Sequence, residues 1–131
     1  MAQPSIDVGF SKLLGMRFVE VSADKVILTW DVTRQLLQPF GLLHGGVHAS
    51  AVETAASVGA GYWWADRGTV VGVSNQTDYL RAVRDGTLTA TGVPIHRGRS
   101  QQLWQVEITD EQHRLVARGQ VRLQNLPADG R

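Results

Sequence analysis

The sequence predicts an α+β domain in which a curved antiparallel sheet wraps around one long helix. Three observations carry that expectation. Only one segment, from about Gly46 to Ala65, is long and unbroken enough to be a long helix. Two strand-like stretches precede it and four follow it, joined by short turns that suit antiparallel neighbours. At 131 residues the chain has the length of one domain, placed at 1–126, with a polar tail, Pro-Ala-Asp-Gly-Arg, at 127–131 that is expected to be flexible.

The elements follow in order. Residues 6–14 suit a short helix closing at Gly15. Met16 to Val21 forms a hairpin, through Ser22-Ala23-Asp24, with Lys25 to Thr33. There Val26, Leu28, Trp30 and Val32 alternate as in a half-buried strand. Pro39 and Gly41 mark residues 35–44 as a loop. The long helix is rich in Ala, Ser and Gly, and each interior glycine costs about 1 kcal/mol relative to alanine. Tolerating Gly59 and Gly61 predicts a neighbour packed very close. Strands are then expected over Thr69–Val83, Thr87–Arg97, Gln101–Thr109 and Leu115–Leu126, with a hairpin turn at Asp110 to His113. The predicted order is α-β-β-α-β-β-β-β.

Composition narrows the function. Thirteen basic and twelve acidic residues leave a net charge of +1, which suggests no nucleic-acid surface. The absence of Cys rules out disulfides and thiol chemistry and suits a reducing cytoplasm. The first residues, MAQPSIDVGFSK, lack a basic run followed by an apolar core, and outside the Glu53 helix no uncharged stretch is long enough to span a bilayer. A cytoplasmic domain with no membrane contact is expected. The four His residues show no ligand spacing, so neither metal nor cofactor is expected.

The informative stretch is HGGVHASAVETAASVGAGYWWA. Between Gly45 and Ala65, Glu53 is the only acid and there is no Lys or Arg. A carboxylate in such company is costly unless it is paired, neutralised or used. Just before it, His44-Gly45-Gly46 opens the helix, where free N–H groups and the positive end of the dipole await an anion. An oxyanion site together with a carboxylate is what acyl transfer requires. At 1.5 Å per residue, Gly45 and Glu53 stand about 12 Å apart along the axis. One small carbonyl cannot meet both within a chain, so a composite site in a homodimer is expected.

Over nearly its whole length the chain resembles the hotdog-fold acyl-CoA thioesterases of the branch that uses a helix glutamate. HGGVHASAVETAAS is similar to that branch's His-Gly-Gly, Glu and Ser/Thr pattern. VVGVSNQTDYLRAVRDG and PIHRGRSQQLWQVEITDEQHRLVARG resemble its sheet, particularly in the 1,4-dihydroxy-2-naphthoyl-CoA and 4-hydroxybenzoyl-CoA hydrolases and the phenylacetate-degradation type. The resemblance implies that Gly45 polarises the thioester carbonyl and Gln38 orients that carbonyl or the attacking water. It implies that His44 buttresses the loop and that Glu53 of the partner chain acts as nucleophile or general base. Relatives often carry a Ser or Thr on the following strand; here Gly72 falls there, and Ser57 stands in. Where aromatic-acyl relatives sometimes have His, this chain has Tyr79. The resemblance further implies an acyl-CoA substrate, aromatic in its acyl group, with CoA as part of the substrate. A dimer is then the minimal unit and a tetramer of two dimers the expected assembly.

Arg81, Arg84, Arg97 and Arg99 flank strand ends, and guanidinium groups suit the CoA phosphates. His96, Arg97, Arg99 and Ser100 fall in the family's CoA-binding strand region. His48 faces another side of the helix from Glu53 and is read as structural, His113 as solvated, and Tyr62, Trp63 and Trp64 as core or interface aromatics. Two rival readings stay open: a hotdog enoyl-CoA hydratase or dehydratase built on His48 and Glu53, and a non-catalytic acyl-CoA binder.

Overall fold

Alternation along the strands decides which face of the sheet meets the helix. In the computed structural model, which describes residues 6–129, β1 (Arg17–Val21) and β2 (Val26–Asp31) form the first hairpin. A five-residue helix α1 (Gly9–Leu13) precedes them, and Gly15 leaves it at φ +81°, a left-handed conformation that favours glycine. The long helix α2 (Gly45–Trp64) follows, then β3 (Gly68–Tyr79), β4 (Thr87–Arg97), β5 (Gln101–Thr109) and β6 (Leu115–Pro127). All neighbours are antiparallel, in the order β1-β2-β4-β5-β6-β3. This is the hotdog architecture, with α2 lying against one face of a six-stranded sheet.

Val26, Leu28 and Trp30 of β2, Leu88 and Ala90 of β4, Trp104, Val106 and Ile108 of β5, and Val121 and Leu123 of β6 turn inward and are fully buried. They close on Ala51, Val52, Ala55, Ala56 and Ala60 of α2. Burying each large aliphatic side chain contributes about 1.5–3 kcal/mol. The small residues let the sheet come close. A Cβ on Gly59 would sit 2.5 Å from the Trp104 ring, so the expected close neighbour exists there. Gly61 has only Val70 at 3.9 Å, and nothing in the structure explains it.

The C-terminal part of α2 is locked by a polar network. Trp104 Nε1 donates to Gln102 Oε1 (2.8 Å), and Gln102 Nε2 donates to Asn125 Oδ1 (2.8 Å) and to the Ala60 carbonyl (3.2 Å). Asn125 Nδ2 then donates to the Gly98 and Arg99 carbonyls, tying the β4–β5 turn to the helix. Buried polar groups need such partners. Here every step has one.

Among the boundaries that differ from expectation, two matter most. β3 stops at Tyr79 rather than Val83, because the Leu80 and Arg81 N–H groups both turn to the Val116 carbonyl and the chain leaves the sheet. At the other end β6 runs through Pro127, and the Ala128 N–H donates to the Arg67 carbonyl, so these two residues of the expected tail are tied to the sheet. Gly130 and Arg131 lie outside the described residues.

Candidate active site

Strand β3 runs back along the N-terminal half of α2, and one irregularity decides what it presents. Gly72 pairs with Leu123, but Ser74 pairs with Arg122, so Val73 is an extra residue in the β3–β6 ladder. Such a bulge flips the side-chain alternation downstream. Val70 and Gly72 face the helix before it, and Asn75, Thr77 and Tyr79 face it afterwards.

Glu53 is half-buried on α2 against this strand. A Cβ on Gly72 would land on its carboxylate, so the glycine lets the carboxylate lie where it does. Asn75 Nδ2 donates to Glu53 Oε1 (3.0 Å) and to the Ala49 carbonyl (3.1 Å). Thr77 Oγ1 donates to Asn75 Oδ1 (2.7 Å). Ser57 lies half-buried one turn along the helix; among the described residues, the side chain bonded to the carboxylate is Asn75. Glu53, Asn75, Ser50 and Phe10 line an open cavity of about 450 Å³.

The start of α2 builds a second place. His44 is its N-cap, and its Nδ1 accepts from the Gly46 N–H at 2.8 Å. A Cβ at Gly46 would crowd that imidazole at 2.9 Å, which accounts for the second glycine. Gly45 has the Tyr79 ring directly over it, where a Cβ would lie 2.7 Å from the ring. Its N–H has no acceptor among the described residues. Gln38 Oε1 accepts from the Phe40 and Leu42 N–H groups, which leaves its NH₂ free to donate. Gln38, Gly45, His48, Tyr79 and Arg81 share a cavity of about 340 Å³.

His48 is buried and stacked against Tyr79, with ring centroids 5.8 Å apart and planes inclined by 29°. Burial lowers its pKa to about 4, so it is neutral at physiological pH. Its Nδ1 has no partner among the described residues. It lines the Gly45 cavity and not that of Glu53.

The residues expected to meet CoA do not gather in one chain. Arg81 borders the Gly45 cavity, and Arg84 reaches the Phe40 carbonyl (3.3 Å). His96, Arg97, Arg99 and Ser100 sit around the β4–β5 turn, beside Ala60 and so about 22 Å along the helix axis from Gly45. Arg97 is engaged by Asp24 (2.8 Å) and stacks on Trp63; Arg99 and Ser100 are exposed. Trp64 is buried, its Nε1 donating to the Leu126 carbonyl.

Among the described residues, no cluster of His, Asp or Glu could hold a metal ion, and no helix is long and apolar enough to cross a membrane.

Comparison with known proteins agrees with the fold. The family model of the thioesterase superfamily matches residues 40–117, more than half of the chain. The chain belongs to the thioesterase superfamily. The Mycobacterium tuberculosis protein Rv1847 is 46% identical over 95% of this chain and 91% of its own length. Its structure superposes with a TM-score of 0.91, at 48% identity over 92% of this chain and 98% of that one. The 1,4-dihydroxy-2-naphthoyl-CoA hydrolase of Escherichia coli is 38% identical over 82% of this chain and 77% of its own. Thioesterase HI1161 of Haemophilus influenzae matches with a TM-score of 0.85, at 33% identity over 90% of this chain and 82% of that one. As a member of this superfamily the chain is read as a thioester hydrolase.

Asn75 and Thr77 were not singled out from the sequence. The available signal was Ser74-Asn75-Gln76-Thr77-Asp78, five polar residues running through a strand that should alternate.

Proposed function

We propose that this protein hydrolyses an acyl-CoA thioester to a carboxylic acid and free CoA, in a site shared by two copies of the chain. The observation that carries the proposal is the separation on α2. Gln38 and Gly45 line one cavity, Glu53 lines another, and one continuous helix holds them about 12 Å apart. A second copy supplying Glu53 opposite Gly45 completes a site that one chain leaves in halves. The twelve-residue edge strand β3, paired only with β6 and exposed from Val71 to Gln76, supports such an association. A further pairing into a tetramer extends the same reading.

In this site the Gly45 N–H, aided by the Gln38 amide, receives the carbonyl oxygen as it takes on negative charge. Glu53 of the partner subunit attacks the carbonyl carbon, giving an anhydride that water opens, or it takes the proton from an attacking water. Either way the carbon–sulfur bond breaks, the thiolate leaves as CoA, and water supplies the acid's second oxygen. His44 holds the loop through Gly46, and Ser57 lies within one turn of the carboxylate to position water. Arg81, Arg84, His96 and Arg99 are the candidates for the CoA phosphates. An aromatic acyl group suits the wall made by Tyr79, Leu42, Leu43 and Leu80, and the Escherichia coli relative's name supports it.

A panel of aromatic and aliphatic acyl-CoAs with free-thiol detection tests the proposal. Thiol release is expected, fastest on aromatic esters. Loss of the conjugated absorbance of an enoyl-CoA without thiol release would replace it with hydration, and binding without turnover would leave only a binder. A tenfold preference for long-chain fatty acyl-CoA over every aromatic ester would remove the aromatic assignment alone.

A further inference from the structure

We infer that Asn75, locked by Thr77, is a positioning residue that sets the orientation of the Glu53 carboxylate for catalysis. This rests on the reading of Glu53 as the catalytic carboxylate.

The hydrogen-bond inventory fixes the amide without ambiguity. The Ala49 carbonyl and the Glu53 carboxylate can only accept, so Asn75 must turn its NH₂ toward both, and its Oδ1 must then face away. Thr77 places its hydroxyl against that Oδ1 at 2.7 Å, and Gly119 of β6, where a Cβ would lie 2.7 Å from Thr77 Oγ1, makes room for it. Both protons and the oxygen of the amide are therefore used. One carboxylate oxygen, Oε1, is held by this amide; the other, Oε2, lies over the bare Cα of Gly72. The carboxylate is gripped on one oxygen and given clearance on the other. That leaves Oε2 as the oxygen with free lone pairs to meet a thioester carbon or a water. The Val73 bulge is what brings Gly72 and Asn75 to the same face, so the arrangement depends on a built irregularity rather than on ordinary alternation.

A positioning role and a mere staple between β3 and α2 make opposite predictions for the isosteric variant. Asn75→Asp keeps the shape but loses both donors and sets a like charge beside Glu53. Asn75→Ala removes the group altogether. If Asn75 positions the carboxylate, kcat should fall about ten- to a hundredfold in Asn75→Ala with KM for the acyl-CoA changed less than threefold. Asn75→Asp should then be the slower of the two at pH 8. Thr77→Val should lose about three- to tenfold in kcat, and Thr77→Ser should recover most of it. A staple gives a different pattern: kcat close to the parent's in both variants, with any loss, in Asn75→Asp as in Asn75→Ala, confined to melting temperature. The proposal is overturned if Asn75→Ala and Asn75→Asp both keep kcat within twofold while Glu53→Gln is inactive. Should Glu53→Gln retain turnover, the reading of Glu53 fails first and takes this role with it. If the Asn75 variants do not fold, the Thr77→Val and Thr77→Ser pair decides, since equal rates in both refute the relay.

Discussion

The two halves of α2 are built from nearly the same residues and end in opposite conditions. From Ala55 to Trp64 the helix is sealed: the Trp104 ring fills the space over Gly59, and the Gln102–Asn125–Trp104 network leaves none of its polar side chains without a partner. From Gly45 to Thr54 polar capacity is left over. The Gly45 N–H, the Gln38 NH₂ and His48 Nδ1 have no acceptor or donor among the described residues, and one oxygen of Glu53 faces a bare glycine. Small residues serve close packing in the C-terminal half and access in the N-terminal half. An alanine- and glycine-rich helix therefore does not declare its purpose; the satisfaction of the groups around it does.

Breaking the open half should produce the largest effect. Glu53→Gln keeps the shape and removes the charge, so steady-state turnover should drop at least about a hundredfold while binding of the CoA ester persists. Retained turnover would return Glu53 to an ordinary helix residue.

Next comes the partition of the open half between subunits. Glu53→Ala and the pair Gln38→Ala with Gly45→Pro, where proline removes the N–H, should each be inactive. Co-refolded at equal amounts, half the dimers are mixed, and each mixed dimer has one intact site. Activity should return to about a quarter of the parent's. Mixed dimers that form but stay inactive would place the site within one chain.

A titration reaches the buried wall of the open cavity. Between pH 6.5 and about 4 an unfolded His48 takes a proton that the folded one refuses. Its neutral burial thus leaves full stability above pH 6.5 and costs stability progressively as pH falls toward 4, by about 3 kcal/mol in all. Asp31, held below the usual carboxylate range by the Thr87 hydroxyl and Arg17, and Asp110, held there by the Arg114 N–H, act at lower pH. Denaturant midpoints at pH 7.5 and 4.5 should converge in His48→Phe; an unchanged gap would assign the slope elsewhere.

The smallest effect sharpens the contrast from the sealed side. Gly59→Ala pushes a methyl into the Trp104 ring and should cost about 1–3 kcal/mol of stability. Turnover per folded molecule should stay within twofold. A large loss of kcat there would mean that the two halves are not independent.

How much of this was legible depended on whether local pattern and final packing agreed. β4 and β5 begin and end where alternation placed them: β5 buries every second residue, and β4 does so from Leu88 to Gly92. The helix and the isolation of Glu53 were equally plain. β3 was not, for two reasons. Leu80, Ala82 and Val83 continue a strand-like pattern, yet two N–H groups crowd onto one carbonyl and end the pairing. Upstream, the extra residue hides the true facing of Asn75, which an undisturbed alternation from Gly72 would turn away from the helix. Ser57, one turn from Glu53, could be proposed from the resemblance, whereas Asn75 could not be placed, because its contact spans 22 positions of sequence.

The bulge at Val73 makes this site sensitive to counting rather than to chemistry. A sheet strand is a wave of period two, and one inserted residue shifts its phase by half a cycle. Were Val73 drawn into the ladder opposite Arg122, every later residue of β3 would slip by one place, and Asn75, Thr77 and Tyr79 would swing to the outer face together, stripping Glu53 of its amide and Gly45 of its aromatic cover in one event. Deleting Val73, an exposed residue of no evident chemical value, would instead remove the extra count and leave those three side chains toward the helix, because Ser74 already pairs next to Gly72. The phase of the whole downstream strand thus hangs on one residue that has no place in the ladder.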